Sequence, residues 1–390
     1  MWSSFELYFD DDEDEEDEDD EDDEEDEEDE EVEEDEEDVK DVEDEKKSLP
    51  ENKKSIFTRR NLRYASDPLS LPEEDFQKWV GLNKEIVLYL VDSLKPEFKM
   101  TYRCTATPLI LKICASLRFL TTGNYQQGVG NDTYFGLCQS AVSTYLTEFL
   151  EAAEKKICPD WIKAGMTEAE KQNARTHFYR ESELPGIIQA IDCTHIKIVN
   201  PGKDPKRVYR NKKGFYSLNV LLACDHELVF RSVEAKYPGA YQDGFIWNIS
   251  ALRQKMYEDY ERGERPRLVG DAAFPQDYIL FTPYRNAVPG SREELYNQKH
   301  KQAKSIIDRA IALLKTRFRC LLGTKELFYV PKKAATIVNV CVALHNICRA
   351  HKIADPPIEP IETDPTENFY DGSEDVSATR IRDSIRESLL

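Results

Sequence analysis

The sequence predicts an α/β fold: a mixed sheet flanked by helices, preceded by an all-helical region and an acidic N-terminal tail. Three observations carry that expectation. Apolar residues alternate or run together in GIIQAIDCTHIKIV (186–199), GFYSLNVLLACD (214–225) and LVFRSVEAKYPG (228–239), the pattern of strands. Two short extended pieces, PRLVGDAAF (266–274) and YILFTPY (278–284), follow later. Helical spacing separates and follows them, and 33 of the first 50 residues are acids.

The first strand holds Asp192 among apolar neighbours. A carboxylate there is expensive to desolvate unless it is paired, hydrogen-bonded or bound to a cation, so it is either a satisfied structural Asp or a ligand. The next two strands form an antiparallel meander with Asp225, His226 and Glu227 as a short turn. In AYQDGFIWNISALRQKMYEDYERG, Phe245, Ile249, Leu252 and Met256 recur at helical spacing. Asp243 precedes the first of them and by itself reads as a plain N-cap.

The strand at 266–274 ends in Gly270-Asp271, and strand ends are where open α/β sheets hold ligands. SREELYNQKHKQAKSIIDRAIALLKTRFRCL (291–321) is a long helix with Ile307, Ile311, Leu314 and Phe318 as its apolar stripe. Asp308 lies one residue off that stripe, where an ion pair with Lys304 or Lys315 is the simplest account of it. A strand with Asp, two strands, a helix, a strand ending in Asp, then a helix carrying a third acid is the element order of an RNase H-like fold.

The residues around these acids resemble those of DDE transposases of the PIF/Harbinger group and the nucleases derived from them. AIDCTHIKI, YRNKKGFYSLNV, YPGAYQDGFIW, VGDAAFP, LFTPY, YNQKH, DRAIALLKTRFR and ALHNI carry the likeness in that order. LTTGNYQQGVGNDTYFGLCQSAVSTYL extends it, so that it spans roughly residues 60 to 355. The resemblance implies a metal-dependent DNA endonuclease, with Asp192, Asp243, Asp271 and Asp308 at the family's metal-site positions and Asp192, Asp271 and Asp308 as the catalytic acids. Two departures stand out: Asp308 where the family usually has Glu, and Cys193 where it commonly has Gly.

The chemistry so implied uses two Mg²⁺ or Mn²⁺ ions roughly 4 Å apart, which activate a water and stabilise the leaving oxygen. Asp192 would bridge them, Asp271 and Asp308 would each hold one, and Asp243 would support or anchor the set. The nine Cys contain no C-x-x-C pair. Cys341, His345 and Cys348 fall at helical spacings, but Val338, Val342 and Ile347 around them mark a packed helix. His195, on the opposite strand face from Asp192, reads as structural. The alternative from another class is a catalytically silent DNA-binding or chromatin protein that kept the fold.

Charge divides the chain. Residues 1–50 hold 33 Asp or Glu against three Lys, a net of −30, whereas the whole chain carries −24, so the remaining 340 residues carry +6. A tail of that composition is expected to be disordered, either as a solvating segment or as a mimic of DNA charge. The mildly basic body suits DNA. Lys203, Lys206, Arg207, Arg210, Lys212 and Lys213 crowd the connection between the first two strands and suit phosphate contacts.

Residues 51–180 read as a helical region. LPEEDFQKWVGLNKEIVLYLVDSLKPEF (71–98) opens it with an acidic first turn and an apolar helix from Phe76. LILKICASLRFLTT and CQSAVSTYLTEFLEAAEKKI follow, separated by a Gly-rich loop; they are candidates for a helix-turn-helix with Ser140, Ser143 and Tyr145 facing DNA. Residues 181–355 form the expected nuclease domain and 356–390 a C-terminal tail with a short helix. The N-terminus lacks a basic and apolar leader, and no apolar run approaches a membrane span. An intracellular chain with reduced thiols is expected, and the resemblance implies the nucleus, with a Myb-like partner supplying DNA targeting.

Overall fold

The computed structural model describes residues 67–99, 106–132, 135–202, 206–358, 369–372 and 375–389. The acidic tail and the KKSIFTRRN run lie outside the described residues.

A helical layer comes first. Helix α1 (Glu73–Val80) places Glu73, Glu74 and Asp75 in its first turn, where carboxylates meet the positive end of the helix dipole. The expected single helix from Phe76 is in fact two, because Gly81 ends α1 at φ 91° and Asn83 caps α2 (Lys84–Leu94) by accepting from the Ile86 amide. Gly81 also packs so tightly on Thr121 that no side chain fits there.

Helices α3 (Leu109–Thr122), α4 (Gln126–Gly130) and α5 (Gln139–Trp161) follow, with α4 inside the Gly-rich connection. Of the residues expected to face DNA, Ser140 is exposed, but Tyr145 turns inward. Its hydroxyl donates to Thr107 Oγ1 at 2.9 Å and its ring lies under the Lys112 ammonium. Helix α6 (Glu168–Ser182) begins with a capping box in which Thr167 and Glu170 satisfy each other's backbone amides.

The sheet comprises β1 (Ile187–Lys197), β2 (Ser217–Cys224), β3 (Phe230–Pro238), β4 (Arg267–Val269) and β5 (Leu280–Phe281), in the spatial order β3-β2-β1-β4-β5. Strands β1, β2 and β3 pair antiparallel, while β4 pairs parallel with β1 and β5 parallel with β4. Every residue of β2 is buried, as expected of a central strand covered on both faces. The expected fold class, an RNase H-like mixed sheet flanked by helices, is the architecture observed.

Two local expectations are corrected. The turn between β2 and β3 runs from Asp225 to Val229, and Leu228 takes φ 63°. The Asp225 carboxylate stabilises it by accepting from the Glu227 and Val229 amides. The helix after β3 is broken into α8 (Asp243–Ile249) and α9 (Ala251–Glu261). Ser250 adopts extended backbone there and caps α9 through Arg253 N. The break rotates the apolar stripe: Phe245 and Ile249 are 48% and 47% exposed, and Ile246 and Trp247 are buried in their place.

A short helix α7 (Lys206–Tyr209) lies between β1 and β2. Helix α10 (Arg292–Arg317) crosses β1, with Ile307, Ile311, Leu314 and Phe318 buried as the stripe requires. Helix α11 (Pro331–Ala350) packs between β3 and α5; Asn346 Nδ2 donates to Trp161 O at 2.8 Å and Asn339 Nδ2 to Glu154 Oε1 at 3.0 Å. His345 and Cys341 are buried in that helix, with His345 Nε2 2.9 Å from Leu228 O and Cys341 Sγ 4.0 Å from Cys320 Sγ. Helix α12 (Val376–Ser388) closes the chain. Among the described residues no helix is long and apolar enough to cross a membrane.

Candidate active site

Parallel pairing of β1 with β4 sets Ala190 opposite Val269, so Asp192 and Asp271 emerge side by side, each two residues further on. Asp192 Oδ1 accepts from Cys193 N at 2.8 Å, and Asp271 Oδ1 accepts from Ala273 N at 3.0 Å. Asp243 enters from the first turn of α8. Gln242 occupies the N-cap position, so the plain N-cap account of Asp243 fails. Its Oδ1 instead accepts from Asn219 Nδ2 at 2.8 Å, and Asn219 also donates to Tyr241 O at 2.9 Å. Burial, followed by the charge of Asp243, pushes the Cys193 thiol up, so Asp243 lies near the β1 strand beside Asp192.

The three carboxylates are half-buried and feel one another. Burial, followed by the charges of Asp192 and Asp243, pushes Asp271 up to about 8. Asp192 is pushed up to about 6, mainly by burial and against the pull of Lys304. Asp308 stands apart on α10, 51% exposed, and meets Asp192 through a third group. Lys304 Nζ donates to Asp192 Oδ2 at 2.9 Å and to Asp308 Oδ1. The ion pair of Asp308 with Lys304 is therefore present, but the same ammonium also neutralises Asp192. Burial opposes its charge, and Asp192 and Asp308 more than restore it.

Lys315 makes no pair with Asp308. It reaches β1 further along, donating to Thr194 Oγ1 at 2.7 Å, and burial lowers it to about 8. His300 fastens the other end of α10, its Nε2 3.1 Å from Phe281 O; burial lowers it to about 4, so it is neutral. These two buried side chains hold α10 in register with the sheet, and that register brings Lys304 to Asp192.

The donor set is all oxygen, the set that hard divalent cations take. Burial disfavours so many negative charges together, and the Lys304 ammonium offsets it at Asp192. The carboxylates fit such an ion chemically, although among the described residues no three His, Cys, Asp or Glu side chains are already arranged around a single metal position.

Of the basic residues between β1 and β2, Lys203 lies outside the described residues, and for Lys206 only the backbone, at the start of α7, is described. Arg207, Arg210, Lys212 and Lys213 are exposed. Arg210 Nε donates to Gly214 O at 3.1 Å, closing the turn that presents the two lysines. Lys212 and Lys213 line a cleft with His195, Asn219 and Asp243. His195 supports that turn, its Nδ1 3.0 Å from Ser217 Oγ, which also accepts from Asn211 Nδ2. Sequence reading missed Asn219, although a lone Asn in the apolar run SLNVLLAC is the same kind of signal that singled out Asp192.

Residues 191–346 match the family model for the DDE superfamily endonuclease. The chain is 31% identical to "Putative nuclease HARBI1" of Bos taurus and 32% identical to that of Rattus norvegicus, in each case over 80% of this chain and 89% of the relative. It is 26% identical to "Protein ALP1-like" of Arabidopsis thaliana over 75% of this chain and 73% of that protein. No solved structure matches it significantly. With its sheet order, its acids at the ends of adjacent parallel strands and this likeness over most of its length, the chain belongs to the harbinger transposase-derived nucleases of the DDE superfamily.

Proposed function

We propose that this chain is a metal-dependent DNA endonuclease that hydrolyses phosphodiester bonds, with Asp192, Asp271 and Asp308 as its catalytic acids and Asp243 as a further metal ligand. The observation that carries the reading is the approach of Asp192, Asp243 and Asp271 from three separate elements, close enough that Asp192 and Asp243 add to burial in raising the proton affinity of Asp271. Carboxylates held together at such a cost suit a site that takes up positive charge.

When bound, Mg²⁺ or Mn²⁺ would activate a water and stabilise the leaving oxygen. Asn219 holds Asp243 in place. Lys304 keeps Asp192 compensated, and Arg207, Arg210, Lys212 and Lys213, with Lys203 and Lys206, supply contacts for the DNA backbone. Nuclear residence and a Myb-like partner that targets DNA belong to the same proposal and rest on the family membership.

A second reading has its own support. Lys304 already pairs with both Asp192 and Asp308, and Asp308 is one methylene shorter than the Glu usual at its position. A chain that keeps this ion pair permanently would be a silent DNA-binding protein. Nicking of supercoiled plasmid with Mn²⁺, by the full chain and by Asp192→Asn, decides between them. The nuclease reading expects nicking that needs metal and vanishes in the variant. DNA binding without nicking, even with the Myb-like partner added, supports the silent protein.

A further inference from the structure

Beside the acids, the walls of the cleft come from distant parts of the chain. Lys212 and Lys213 rise on one side, and Gly239 to Asp243 form another. Ala273 and Phe369 complete the lining. Phe369 lies outside the stretch matched by the family model, 191–346, yet it lines the cleft that also holds Asp243.

Its position is fixed by its neighbour. Tyr370 N donates to Ala272 O at 2.9 Å, one residue after Asp271. Arg285 donates to the Tyr370 carbonyl and lies 5.9 Å from the Phe369 ring centroid. The Tyr370 ring lies on Gly244, next to Asp243, where any side chain would collide with it.

Beyond this contact α12 is clamped to the nuclease body. Tyr284 Oη donates to Asp383 at 2.6 Å, Arg386 pairs with Glu293 at 2.6 Å, and Arg382 donates to Thr282 O at 3.3 Å. Despite this anchoring Phe369 remains 44% exposed. An apolar ring held at the rim of a cleft that also carries two lysines has the makings of a nucleobase platform: the ring stacks on the base while ammonium groups meet the phosphates.

We propose that Phe369 stacks on a base of single-stranded or locally unpaired DNA, and that the C-terminal arm thereby completes the substrate cleft. The choice of DNA as ligand rests on the nuclease reading above. The site itself rests on the arm.

The test uses the full chain in EDTA, so that it reads binding without cleavage, and a short single-stranded oligonucleotide carrying one 2-aminopurine. Stacking on Phe369 is expected to quench the 2-aminopurine in the complex. Phe369→Ala should weaken binding about 5- to 100-fold and abolish the quench, while Phe369→Trp should keep both. Replacing Lys212 and Lys213 by Ala should lower affinity and its salt dependence without removing the quench in the bound state. Equal affinity and quench in Phe369→Ala would overturn the inference. Tighter binding by that variant would overturn it as well, because the arm would then obstruct the cleft. Absence of oligonucleotide binding by the parent chain would overturn this inference, while the nuclease reading stands or falls separately on Mn²⁺-dependent nicking.

Discussion

The Lys304 ammonium stands 2.9 Å from the Asp192 carboxylate and donates to Asp308, one helical turn further along α10, with another of its hydrogens. One side chain thus ties the central strand to the long helix and compensates two acids. Lys304 and Asp192 are 18% and 16% exposed, so the pair is poorly screened by water.

Removing one partner of such a pair costs about 3–5 kcal/mol. Lys304→Met is therefore expected to lower the melting temperature of the metal-free protein by several degrees. Adding Asp192→Asn should recover most of that loss, because the stranded charge goes with it. Thermal unfolding of both single variants and the double variant reads the coupling. Additive losses would show that the two residues do not stabilise the fold as a pair.

Asp271 gives a pH dependence of definite sign. Its proton affinity in the folded chain, about 8, exceeds the ordinary 3.8. Its contribution to stability is therefore full below the ordinary value and is lost as pH rises through about 8. In EDTA the melting temperature should fall from pH about 4 to about 8 and then level off, and Asp271→Asn, which carries no titrating proton, should flatten that fall. A divalent cation should stabilise the parent more at the upper end of this range. Identical slopes in parent and variant would contradict the assignment.

Asn219 fixes Asp243 by a 2.8 Å bond. Loss of a group that orients a ligand typically costs about 10- to 100-fold in metal affinity or activity. Asn219→Ala should show that loss in nicking and in Mn²⁺ affinity, with the melting temperature much less affected. A variant that nicks at the parent rate would remove Asn219 from the site.

Asp308 divides the two functional readings. If it holds metal, Asp308→Asn should lose at least about tenfold in nicking, while Asp308→Glu, restoring the usual length, should match or exceed the parent. Plasmid nicking at several Mn²⁺ concentrations measures both. Full activity in Asp308→Asn would leave Asp308 only its ion pair with Lys304.

Much of this site was legible in the chain because desolvation makes polar residues conspicuous. Asp192 stands out in an apolar strand, and Asp271 follows a short apolar run at a strand end. The helix at 243–261 was misread because Phe245 and Ile249 fit a helical period, while the break at Ser250 depends on where the chain must turn to bury Trp247. Phe369 gave no local signal, since its importance comes from the backbone bond between Tyr370 and Ala272.

The sequence by itself determined the order of strands and helices, the acids worth attention and the division between an acidic tail and a mildly basic body. These follow from local periodicity and from the cost of burying charge. Only the tertiary structure decided that Lys304 meets Asp192, that Asn219 supports Asp243 and that the C-terminal arm reaches the cleft. Those contacts join residues 112, 24 and 98 positions apart. Such contacts depend on how helices and arm pack on the sheet, and packing is settled by the whole core rather than by any local pattern.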